Sequence, residues 1–125
     1  MIAVDDWTCP VARAARILGD ECSLLLLRDL GTGPRRFGQL LGSAAGNTRL
    51  LSSRLRRLTA AGVLEREPVA SHPAGVQYAL SAMGRDLLPA LQVLRTFGDR
   101  WLPALCDPLA PPQVEPVARP SPSAP

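Results

Sequence analysis

Six arginines, Arg35, Arg36, Arg49, Arg54, Arg56 and Arg57, fall between Leu30 and Leu64 without one Asp or Glu among them, a local charge of +6 in a chain whose total is +3. Guanidinium is a planar, permanently charged fork of donors that matches phosphate oxygens and the edge of guanine, so this grouping points to a nucleic-acid partner. The bland alternative is a solvated face. All fourteen basic residues of the chain are Arg. The other side chains with chemistry to offer are Cys9, Cys22, Cys106 and a single histidine, His72. Cys9 directly precedes Pro10 at the expected start of a helix, where the positive end of the helix dipole favours thiolate. It is therefore the candidate redox residue, set against a packing role. Three cysteines at irregular spacing make neither a secreted disulfide framework nor a zinc site. Acidic residues are scattered, and no nucleophile with its base, carboxylate pair or phosphate-cradling glycine loop is present, so no catalytic residue, cofactor or metal is expected and the chain reads as a non-enzyme.

These side chains need elements to position them. Asn47 to Ala61 has the pattern of a two-faced helix, because Leu51, Leu55 and Leu58 recur at i, i+4 and i+7 while Arg49, Ser52, Ser53 and Arg56 fall on the other side. Upstream, Pro10 opens a helix that Gly19-Asp20 stops, with Val11, Ala14, Ala15, Ile17 and Leu18 as its apolar side. A second helix runs from Glu21 to Leu30 and ends at Gly31-Thr32-Gly33-Pro34. Phe37 to Leu41 forms a short third helix, broken around Gly42 to Gly46. Downstream, Val63–Glu67 and Val76–Leu80 alternate as two strands of a hairpin, joined by an open loop from Pro68 to Gly75. Ser81 caps a last helix to about Leu105, bent near Pro89, with Leu87, Leu91, Leu94, Phe97 and Trp101 at near coiled-coil spacing.

The order of elements predicts a mainly α fold with a small β-hairpin wing, a winged helix-turn-helix. Residues 1–8 form an arm and 9–106 the folded domain. In 107–125, seven of nineteen residues are proline, so this tail is expected to be extended. In such an arrangement Thr48, Arg49, Ser52, Ser53 and Arg56 face base edges or nearby phosphates. Arg35 and Arg36, at the start of the short helix, anchor phosphate and set register, and Arg54 and Arg57 flank the long helix in phosphate or structural roles. At 125 residues there is room for one domain of modest stability, which a second subunit would help. The N-terminus carries no secretory pattern and no apolar run approaches the roughly 18 residues of a membrane span, so a cytoplasmic protein is expected.

Beyond this pattern, several fragments in unbroken order from about residue 7 to 102 resemble HxlR-type transcriptional regulators. They are Trp7-Thr8-Cys9-Pro10-Val11, Ile17-Leu18-Gly19-Asp20, Leu27-Arg28-Asp29-Leu30, Gly33 to Leu40, Leu51 to Leu58 with Ala61-Gly62-Val63-Leu64, and Tyr78 to Ser81 with Gly84-Arg85. The resemblance implies a bacterial winged helix-turn-helix protein, MarR-like in fold, that dimerises through its first and last helices and binds partly palindromic double-stranded DNA as a repressor or an activator, of which a repressor is the expectation here. It also implies that Cys9 matches a cysteine that serves some such proteins as a switch for an oxidant or small electrophile. Two departures stand out: Glu21-Cys22 replaces a basic residue and a tryptophan, and the turn Gly42 to Thr48 is smaller and less polar than usual. Two other functions compete. One is a protein-interaction module on a winged-helix scaffold; the other is a repressor that responds to a ligand without thiol chemistry.

Overall fold

The computed structural model describes residues 7–104 and 109. The arm up to Asp6, Cys106 and the proline-rich tail apart from Leu109 lie outside the described residues. The chain divides into two compact units, Met1–Leu88 and Pro89–Pro125.

In the first unit, α1 (Pro10–Leu18) begins at Pro10, whose missing N–H costs nothing in a first helical turn. α2 (Glu21–Leu30) begins one residue after Asp20, whose carboxylate accepts the Ser23 N–H at 3.1 Å. β1 (Arg35–Arg36) leads into a 3-10 helix, Phe37–Ala44. Two successive left-handed residues, Ala45 at φ 53° and Gly46 at φ 79°, then turn the chain into α3 (Thr48–Ala60). Asn47 caps α3 by accepting the Leu50 N–H at 3.0 Å. Gly62, at φ 88°, lets the chain leave α3 toward β2 (Leu64–Val69) and β3 (His72–Leu80). The short α4 (Ala82–Arg85) is held beside the end of α3, because the Ser81 hydroxyl reaches the carbonyls of Gly62 and Val63 at 2.6 and 2.9 Å.

The core of this unit is a leucine cluster drawn from every layer: Leu26, Leu27 and Leu30 of α2, Leu40 of the 3-10 helix, Leu51, Leu55 and Leu58 of α3, and Val63, Leu64 and Leu80 beside the sheet. The i, i+4, i+7 leucines of α3 are the buried ones, as the period requires. Cys22 is also buried. A cleft of about 270 Å³ opens beside it, among Leu25, Gly42, Ala44, Ala45, Leu50 and Arg54.

Four elements differ from the expectation. The sheet has three antiparallel strands in the order β1-β3-β2, with Arg35 opposite Tyr78 and Arg36 opposite Gln77. Arg35 and Arg36 therefore lie in a strand rather than at a helix start. The expected loop from Pro68 to Gly75 is mostly strand: pairing continues through Pro68 opposite Val76 to Val69 opposite His72, with an irregularity between Pro68 and Val69. Pro68 is accommodated because β2 is an edge strand and needs no donor on its outer side. The third helix has 3-10 geometry and runs on to Ala44. The single last helix is two, α4 and then α5 (Leu88–Trp101), since Pro89 fits the opening turn of a new helix but not the interior of an old one.

In the second unit, α5 buries none of its residues. Val93, Leu94 and Phe97 are 68%, 49% and 54% exposed, so three large apolar side chains of this helix stand in solvent. The Arg100 guanidinium lies over the Trp101 ring, 5.2 Å from its centre. Among the described residues no helix is long and apolar enough to cross a membrane.

Candidate nucleic-acid interface

The structure separates the six arginines by what holds them. Arg54 and Arg57 turn inward along α3 and share one carboxylate, Asp20, from outside the basic stretch. Arg54 Nε donates to Asp20 Oδ2 at 3.0 Å, and Arg57 Nη2 donates to Asp20 Oδ1, to the Ser23 hydroxyl at 3.2 Å and to the Ile17 carbonyl at 3.2 Å. Burial by itself would raise the Asp20 pKa. The Ser23 hydroxyl and N–H, with Arg54 and Arg57, outweigh it and bring the group from 3.8 down to about 2. Asp20 thus caps α2 and fastens α3 to it with the same two oxygens. Of the two roles open to Arg54 and Arg57, the structural one has its contacts in place.

Arg49 and Arg56 face the other way. Both are exposed, and neither has an acid partner among the described residues. Thr48 and Ser53 are exposed beside them and Ser52 is half-buried. The Ser52 hydroxyl accepts from Arg56 Nη2 at 3.4 Å, which leaves the other guanidinium N–H groups of Arg56 to an external acceptor. Ser53 accepts from Arg54 Nη1 at 3.5 Å and so belongs partly to the inner set.

Arg35 and Arg36 are consecutive in β1, and a strand sends consecutive side chains to opposite faces. Arg35 folds back onto the loop before it, donating to the Thr32 hydroxyl at 2.7 Å and to the Pro34 carbonyl at 3.0 Å. Arg36 extends toward the wing, where a Cβ added to Gly75 would lie 3.4 Å from its Nη2. The register puts Arg35, Tyr78 and Arg66 in one row across the sheet. Arg66 and Tyr78 also line a cleft of about 360 Å³ against α3, with Ser52, Leu55, Arg56, Thr59 and Ala60. Sequence reasoning missed these two. The signal available to it was the alternation Glu65-Arg66-Glu67, which puts the arginine alone on its side of β2.

Cys9 precedes α1, half-buried, with a free thiol whose side chain makes no capping hydrogen bond. Cys22 is different: burial, with the negative charge of Asp20 beside it, pushes its thiol up and keeps it protonated.

Residues 17–105 match the HxlR-like helix-turn-helix family. An uncharacterized HTH-type transcriptional regulator of Mycobacterium tuberculosis, Rv3095, is 43% identical over 93 residues, which are 74% of this chain and 59% of that protein. This chain thus spans about three fifths of the length of that mycobacterial relative. A second such regulator, sll1512 of Synechocystis, is 38% identical over 75% of this chain and 70% of its own. Among solved structures, PA1607, described as a candidate transcription factor, superposes with a TM-score of 0.73 at 34% identity, covering 91% of this chain and 82% of that one. The redox regulator HypR in its oxidized form gives 0.67 at 28% identity over 73% and 95% of the two chains. Quinone-bound YodB of Bacillus subtilis gives 0.61 at 26% identity over 73% and 97%. A leucine-backed, Asn-capped α3 beside a three-stranded wing, matched over most of its length by these relatives, places this chain in the HxlR-like helix-turn-helix family.

Proposed function

We propose that this chain is a sequence-specific DNA-binding transcriptional repressor that acts as a homodimer and responds to an oxidant or small electrophile through Cys9. The observation that carries the DNA reading is the outer face of α3. Arg49 and Arg56 stand there exposed and without an acid partner among the described residues, on a helix whose other face is locked into the core. Thr48, Arg49, Ser52, Ser53 and Arg56 enter a major groove, and Arg35 and Arg36 meet backbone phosphates. Two copies on one duplex place their α3 helices about 34 Å apart, which calls for a partly palindromic operator. The apolar faces that α1 and α5 each leave in solvent, with Val11 at 74% and Phe97 at 54% exposure, support subunit contact through these helices.

For the signal, Cys9 is the accessible one of the two described cysteines, and Cys22 is buried and held protonated. HypR and YodB, the neighbours described as a redox regulator and as quinone-bound, support an oxidant or small electrophile as the signal. The test is selection of bound duplexes from a genomic pool with and without an oxidant, followed by binding across a salt series. Arg56→Ala should weaken operator binding by about 1 to 3 kcal/mol, and Arg35→Ala should lower affinity for all sequences with a shallower salt slope. Oxidant should change affinity in the wild type and leave Cys9→Ser unaffected. Failure to bind duplex at low salt by a protein that still dimerises would turn the reading to a protein-interaction module.

A further inference from the structure

The cleft of about 270 Å³ beside Cys22 lies where three elements of the first unit meet: the start of α2, the end of the 3-10 helix and the start of α3. Its wall is apolar and within reach of solvent. Leu25 and Leu50 are half-buried and Ala45 is exposed, so each keeps surface from which to touch a guest, while Cys22 and Ala44 close the floor at 5% and 3% exposure.

Charge of both signs stands around that wall. Asp20 and Arg54 line the cleft, and Asp20 is shared with Arg57, so two guanidiniums on one carboxylate leave a surplus positive charge. Arg54 commits Nε to Asp20 at 3.0 Å and Nη1 to the Ser53 hydroxyl at 3.5 Å, which leaves Nη2 for another acceptor. The negative charge is Glu21, which also lines the cleft, exposed and with no ion-pair partner among the described residues. Both signs reach one atom: beyond the effect of burial, Asp20 and Glu21 push the pKa of the Cys22 thiol up, and Arg54 and Arg57 pull it down. Opposite charges held apart over an apolar wall decide what would fit. A simple acid would meet Glu21 and a simple amine the surplus at Arg54, and either repulsion costs affinity. A molecule that carries both charges meets an opposite partner at each end. The space is smaller than the clefts of about 300 to 1,000 Å³ that take drug-sized ligands, so the molecule is small.

We propose that this cleft is a binding site for a free α-amino acid with an apolar side chain. Its ammonium meets Glu21, its carboxylate accepts from Arg54 Nη2, and its side chain packs on Leu25, Ala45 and Leu50. The site goes beyond the DNA reading and does not depend on it.

The experiment is calorimetric titration of the full chain with L-leucine and, separately, with isopentylamine and isocaproate, which are leucine without its carboxylate and without its ammonium, in low-salt buffer near neutral pH. Leucine should bind saturably and about tenfold or more tighter than either, since each lacks one charge-assisted hydrogen bond. Glu21→Gln should weaken leucine severalfold and leave isocaproate no weaker than before. Glu21 also lies in the first turn of α2, where a negative charge is favourable, so the melting curve of the free variant is read alongside to show that it is folded. A Cβ added at Gly42, which lines the cleft, meets nothing within 4 Å, so Gly42→Leu should be accommodated and should obstruct the cleft, again weakening leucine. Isopentylamine or isocaproate binding as tightly as leucine would make the cleft a seat for a single charge and overturn the proposal. So would leucine binding that neither variant weakens, or no leucine binding at all.

Discussion

Arg54 and Arg57 sit on the same helix as Arg49 and Arg56, and the four guanidiniums have two different fates. The inner pair closes on Asp20, a carboxylate 34 and 37 residues away in the chain, and is spent on holding α3 against α2. The outer pair has no acid partner among the described residues and stands in solvent. A charge count treats all four alike. What separates them is the flank of the leucine stripe on which the helical period puts them: Arg54 and Arg57 fall on the side of Asp20, Arg49 and Arg56 on the other. A basic stretch is therefore a mixture of fastened and unpaired groups, and only the second kind is available to a polyanion.

That division can be tested from its inner side outward. Leu55→Ala removes a side chain that is 1% exposed at the centre of the inner face and should destabilise the fold by about 2 to 5 kcal/mol in denaturant unfolding. Asp20→Asn keeps an N-cap but strips the negative charge from between two arginines, and should cost about 1 to 3 kcal/mol. The pH dependence follows from the sign of the shift. The folded pKa, about 2, lies below the ordinary 3.8, so the carboxylate's contribution is complete above the ordinary value and is lost as pH falls toward the folded one. Wild type should lose stability over that acid range, and Asp20→Asn should show a flatter profile there. Arg49→Ala has the smallest expected effect on stability, within about 0.5 kcal/mol, beside a loss of DNA affinity of about 1 to 3 kcal/mol. If Arg49→Ala unfolded the protein, or Arg57→Ala left it as stable as wild type, the inner and outer sets would not be the separate groups described above.

The strongly periodic parts of the fold were legible in the sequence. Leu51, Leu55 and Leu58 marked the buried face of α3, Asn47 its beginning, and Pro10 the start of α1, because each of these signals is local. The parts that were not legible depend on distant partners. Arg35-Arg36 forms a strand only because Tyr78 and Gln77 lie beside it, and two adjacent arginines carry no strand pattern of their own. Pro68 and Gly75 read as loop residues, yet Pro68 is tolerated on the edge strand β2. Asp20 read as a helix stop, and its ties to Arg54 and Arg57 could not be seen in a stretch defined by having no acid within it. For the site, the outer face of α3 was legible from period alone, whereas Arg66 and Tyr78 required the register of β2 on β3. The thiols divided in the same way: Cys9 was marked by Pro10 beside it, while the difference in exposure from Cys22 needed the packing.

The double tie at Asp20 also bears on how such proteins can be recombined. A recognition helix is often imagined as a cassette whose exposed residues can be exchanged between scaffolds to move specificity with them. Here α3 is fastened in part by a residue before α2, through contacts that a surface graft would leave behind. A host that received Thr48 to Ala60 without an acid at the position of Asp20 would inherit the outer arginines without the tie that holds their helix to α2.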